Sequence, residues 1–246
     1  MLTFLRSLWR AAVPSTTAEL VAVEREADDD DALAVAGELA IAEALRLWHL
    51  DVYDPKRTDH SAAADASRAV IDECARSDSG AGWSWLPPYA GDGAVEWCGM
   101  FAARCWSHAI PLWMRRTWWP STYRLDTWAR YATMDATHAN LRPKTRAPRV
   151  YLPLGPDSVK LAVEPRAGDI LLVGDGKPAY GDHVTLVERY DAERQMFHTV
   201  EGNGGGVGPK GNRRQGIVRA ERPLGKRDGH SYIARRLIRP SIADLT

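Results

Sequence analysis

Cys98 and His183 are the residues of this chain whose types and settings best suit covalent chemistry. A cysteine attacks as its thiolate, and a helix N-terminus favours that anion through its partial positive charge and free N–H groups. In WCGMFAARCWSHA, residues 97–109, Cys98, Phe101, Ala102, Cys105 and Ala109 fall on one face of a helix. Cys98 therefore heads a core-facing stripe at a helix start, after a loop carrying Gly80, Gly82, Pro87, Pro88, Gly91 and Gly93. The competing reading is a small core residue, where most free cysteines go. Cys105 lies two turns further on, ~10.5 Å along the axis, too far for a disulfide with Cys98, and reads as core.

A thiolate needs a base, and His183 opens the apolar run HVTLVERY directly after Gly181 and Asp182. An imidazole at a strand mouth can face a helix N-terminus on the neighbouring layer. A structural or exposed histidine is the alternative. His198 competes from another strand, whereas His108 is excluded because it lies ~15 Å down the Cys98 helix. The imidazole in turn needs an acceptor to fix its ring. In HTVEGN, residues 198–203, strand alternation puts Glu201 and Asn203 on one face, and either could take that role. A carboxylate would also stabilise the imidazolium, whereas an amide would only orient the ring. Gly202 to Gly206 reads as a turn.

The elements that must hold these residues form two blocks. Residues 32–50 and 62–76 are rich in helix formers, the second with Ala66, Val70 and Cys74 at intervals of four. Glu24 to Asp31, ending in four aspartates, reads as a polar break or helix start, separating an N-terminal extension (1–31) from a domain at 32–246. After residue 167 the chain turns to short strands between glycine-rich segments: 169–173, 183–190, 196–201, 216–220 and 231–238. Helices followed by hairpin-connected strands predict an α+β domain, with the Cys98 helix on an antiparallel sheet of five to six strands. Residues 111–166 read as an insertion with a helix near 125–134. Its tryptophans Trp113, Trp118, Trp119 and Trp128 belong either to the core or to a substrate groove.

Composition narrows the function. Lys plus Arg equals Asp plus Glu, 32 each, so no global field draws the chain to nucleic acid or an anionic membrane. The pairs Arg213-Arg214 and Arg235-Arg236 read as solvated surface. Three cysteines argue against a disulfide framework. No apolar run reaches the ~18 residues of a membrane span. Arg6 and Arg10 interrupt the opening apolar stretch, which therefore reads as a short helix or docking segment and not as a secretory signal. GNGGGVGPKG lacks the ending of a phosphate loop, and no Cys or His pair has zinc-finger spacing.

Four blocks together resemble a known family. EWCGMFAARC is similar to the nucleophile helix of CHAP and NlpC/P60 hydrolases. RAGDILLV, GDHVTLVE and TVEGNGGG resemble that family's Pro-Gly-Asp strand, His-Val strand and Glu-Gly-Asn turn, in the family's order, with Ala167 in place of the proline. GIVRAER resembles the strand that follows. The likeness covers about residues 62–238. It implies a papain-like fold and a cysteine amidase or endopeptidase acting on peptidoglycan. Cys98 would be nucleophile, His183 base, Glu201 orienter, and Asn203 a secondary orienter or substrate contact. Some CHAP enzymes bind calcium through aspartates before the cysteine; only Asp78 and Asp92 stand here, so no metal and no cofactor is expected. The settings implied are a phage lysin or a secreted antibacterial effector, made in the cytoplasm and reaching the wall by lysis or specialised export, with an immunity protein or delivery machinery as candidate partners. The alternative function is a non-catalytic wall-binding or structural module of a phage tail or injection machine. A third keeps the enzyme and changes the substrate to a protein or small-molecule amide.

Overall fold

In a computed structural model, residues 17–55, 59–76, 97–109, 150–154, 156–175 and 183–239 are described. Among them the chain is α+β: helices α1 (Thr17–His49), α2 (Ala62–Arg76) and α3 (Cys98–Ala109), then strands β1 (Val150–Pro153), β2 (Ile170–Gly174), β3 (His183–Asp191), β4 (Met196–Val207), β5 (Arg213–Pro223) and β6 (Ile233–Arg239). The strands form one sheet in the order β1-β6-β2-β3-β4-β5, with every neighbouring pair antiparallel. No helix of the described residues is long and apolar enough to cross a membrane.

The sheet separates two apolar clusters, as alternation along each strand requires. Ile170, Leu172, Val184, Leu186, Val200 and Ile217 join the helices in the larger one. Leu171, Val173, Val187, Phe197 and Leu237 form the second, together with Leu154 and Leu224. Helix α3 is the central piece of the first cluster. Met100, Phe101, Ala102, Ala103, Cys105 and Trp106 are all buried there. Trp106 Nε1 donates to the Gly168 carbonyl at 3.1 Å, fixing the helix against the approach to β2. Arg104 reaches Glu43 of α1 (3.3 Å) and Glu73 of α2 (2.7 Å), which ties the three helices together. Ser61 caps α2, its Oγ accepting from Ala64 N–H at 3.2 Å.

Several expectations are corrected. Glu24–Asp31 is no break, since α1 runs through it unbroken from Thr17 to His49. The local acidic run does not override the helix formers on either side. Strand β1, on the sheet edge beside β6, lies within the stretch read as an insertion. The helix near 125–134 and the four tryptophans lie outside the described residues. Arg214 and Arg235 are not solvated: Arg214 is bound to Asp51 and to the Val52 carbonyl, and Arg235 is buried. Strand alternation turns one residue of such a pair inward.

The largest correction concerns Gly202 to Gly206, which is strand and not turn. The chain reverses later, between β4 and β5, where Gly211 N–H bonds the Gly208 carbonyl. Gly202, Gly204 and Gly206 serve close packing. A Cβ on Gly202 would stand 2.4 Å from Phe101 Cβ and 2.7 Å from Trp97 Cζ3, so only a bare backbone lets β4 lie against the start of α3. Gly202→Ala is accordingly expected to destabilise the fold by about 1–3 kcal/mol through overpacking. A urea titration measures it, and an unchanged midpoint would contradict the packing described.

Candidate active site

Cys98 stands at the first position of α3. The first intrahelical bond runs from Phe101 N–H to the Trp97 carbonyl at 2.9 Å, which makes Trp97 the capping residue. The first turn holds no acidic side chain that would offset the positive end of the helix dipole. Trp97 itself is fully buried, edge-to-face with Phe101 at 6.5 Å between centroids, and both pack on Gly202. The helix start is thus clamped onto β4, the strand that carries Glu201.

His183 is the first residue of β3, and its side chain is 12% exposed. Its Nε2 lies 3.1 Å from Glu201 Oε2. An ionised carboxylate only accepts, so Nε2 carries the proton and donates. The Cys98 side chain acts on His183 from close by, as a charge and as a hydrogen-bonding neighbour. With Nε2 committed to Glu201, the nitrogen available to the sulfur is Nδ1. Burial alone would push the His183 pKa down. The Cys98 charge and hydrogen bond, then the Glu201 hydrogen bond and charge, outweigh it and lift the value to about 10.

Glu201 is completely buried, and four donors converge on it. Oε2 receives His183 Nε2 and Arg222 Nη2 (2.6 Å); Oε1 receives Arg222 Nε (2.8 Å) and the Thr199 hydroxyl (2.6 Å). Burial works to raise its pKa, but the His183 hydrogen bond, the Arg222 charge and their partners overcome this and hold it at about 2. At neutral pH the carboxylate is ionised and geometrically saturated.

Asn203 is not brought to the imidazole. A bulge interrupts the β4–β5 register between Glu201 and Gly204, and Asn203 sits at φ +54°. Its carbonyl accepts from Gln215 Nε2 at 2.8 Å, with its amide oxygen 3.4 Å from the same nitrogen. The strand alternation that would align Asn203 with Glu201 is broken at this point. Arg222 and Thr199 are the residues that sequence reasoning missed. Thr199 stands two places before Glu201 on the same face of β4, a spacing visible in the chain. Arg222 reaches the site from β5, a pairing that only the fold reveals. His198 lies beside Arg189 and Glu221. No group of three His, Cys, Asp or Glu among the described residues could hold a metal ion.

The other two cysteines differ in chemistry more than in access. Cys74, Cys98 and Cys105 are 1%, 2% and 0% exposed. Burial raises the Cys74 pKa to about 12 and that of Cys105 well above its ordinary value, while Cys98 alone faces an imidazole and a helix end. Iodoacetamide near neutral pH is therefore expected to label Cys98 first. Peptide mapping that finds Cys74 or Cys105 labelled faster would contradict the assigned environment.

Compared with known proteins, the chain matches no family model, no curated protein and no solved structure.

Proposed function

We propose that the chain is a papain-like cysteine hydrolase that cleaves amide bonds in peptidoglycan, as an amidase or a peptide-stem endopeptidase. The observation that carries the catalytic part is the juxtaposition of Cys98, at a helix N-terminus, with His183, and of His183 with the buried, ionised Glu201. The wall substrate is supported by the order and wording of the four sequence blocks.

In this reading the Cys98 thiolate attacks an amide carbonyl, and the developing oxyanion is met by the Cys98 backbone N–H. The His183 imidazolium, with Nδ1–H towards the reacting centre, gives its proton to the leaving amine. The C–N bond breaks and a thioester remains on Cys98. Water then adds to the thioester while His183 takes its proton, and the acid leaves with the sulfur restored as thiolate. Glu201 stays ionised throughout; it holds Nε2–H and stabilises the imidazolium form.

Mass spectrometry of soluble fragments after incubation with purified peptidoglycan tests the proposal. The expected products carry new amine and carboxylate ends at one bond type. Intact wall after prolonged incubation with folded protein, over a range of wall chemotypes, would remove the substrate assignment. Labelling that singled out Cys98 would then move the search to protein and small-molecule amides.

A further inference from the structure

The carboxylate that orients the base is itself held by a second cation. Arg222, paired with Phe197 across the antiparallel β4–β5 ladder, reaches along it to Glu201 and grips it with two parallel bonds, Nε to Oε1 at 2.8 Å and Nη2 to Oε2 at 2.6 Å. Its side chain is 14% exposed and its guanidinium carbon lies 5.7 Å from the ring centre of Tyr232. Thr199 donates to the remaining position on Oε1 at 2.6 Å. A structural ion pair would not need to share its carboxylate with a histidine at the mouth of a strand. Here Oε2 bonds both His183 Nε2 and Arg222 Nη2, so the fork fixes the plane in which the imidazole is met.

We propose that Arg222, assisted by Thr199, is a positioning residue of the catalytic site, which fixes the orientation and negative charge of Glu201 and through it the His183–Cys98 pair. The inference rests on the hydrolase reading above. Arg222 touches neither the sulfur nor the imidazole, so its influence passes through Glu201. A fully buried carboxylate with one cation removed becomes easier to protonate, and once protonated it no longer supports an imidazolium. Among the described residues the charged groups facing Glu201 are His183 and Arg222, and the only other donor upon it is the Thr199 hydroxyl. Lysine could restore the charge but not the fork.

The test is the pH dependence of Cys98 alkylation by iodoacetamide in the full chain, which requires no substrate. Arg222→Met is expected to move the acid limb of the rate upward by about one pH unit or more, since an adjacent arginine typically lowers a carboxylate by one to three. Arg222→Lys is expected to move it less, with a plateau rate several-fold below the parent. A folded Arg222→Met protein with an unmoved limb overturns the proposal. If that variant does not fold, Arg222→Lys matching the parent in limb and plateau overturns it equally. A purely structural role would lower the folded fraction without shifting the limb. Failure of the underlying reading looks different, because Cys98 of the unaltered chain would then show no preferential labelling at any pH.

Discussion

A Cys98→Ala chain is expected to release no fragments from peptidoglycan, a loss of at least about 10⁴-fold on the scale seen when a covalent nucleophile is removed, while remaining folded. The sulfur occupies the first position of α3, and nothing else among the described residues can form the thioester there. Trp97, Phe101 and Gly202 secure the helix start independently of the thiol. The alanine leaves only a small cavity, so the thermal transition should fall modestly. Cys74→Ser and Cys105→Ser should keep the chemistry, with stability lowered by a hydroxyl placed among apolar neighbours. Fragment release measured beside circular dichroism decides the matter, and a folded Cys98→Ala protein with undiminished activity would end the mechanism.

Glu201→Gln should cost about 10²-fold or more in turnover, by analogy with charge loss behind a catalytic histidine. The structure adds a reason. All four groups that meet Glu201 are donors, from His183, Arg222 twice and Thr199. A glutamine offers one acceptor oxygen and turns its amide nitrogen onto another donor, so the network opposes it on one side whichever way it is placed. Asn203→Ala should be much milder in turnover. Its loss falls on the 3.4 Å contact of its amide oxygen with Gln215 Nε2 and on a left-handed backbone position, about 1–2 kcal/mol of stability. Turnover of both variants on one substrate ranks them. A crippled Asn203→Ala beside a nearly silent Glu201→Gln would mean that the amide orients the base and that the hydrogen bond from His183 to Glu201 does not.

Much of the site was legible in the chain because its signals are local. Cys98 heads a helical stripe whose members are close in sequence, and α3 begins at that residue. His183 opens β3 as the apolar alternation after it suggests. Glu201 was readable as a carboxylate on the strand that follows the one opened by His183. Asn203 was read on the face of Glu201, but alternation holds only while the strand is regular, and a bulge is set by pairing with β5, not by residues 198–203 themselves. The glycines of 202–206 mislead for a related reason. A glycine needed for a turn and a glycine needed to admit Phe101 look alike until the helix is in place. Arg222 and the edge strand β1 depend on partners far away in sequence, and no short window contains them.

The central claim is that His183 is held as an imidazolium between Cys98 and an ionised Glu201. Nuclear magnetic resonance of the ¹⁵N-histidine-labelled chain measures this most directly. His183 should keep its proton through neutral pH and lose it only near 10, well above the ordinary 6.5, and in Cys98→Ala its titration should move down because the charge and hydrogen bond of the sulfur are gone. A His183 signal that titrates at or below 6.5 in the unaltered chain, or that is indifferent to the loss of Cys98, would contradict the pair.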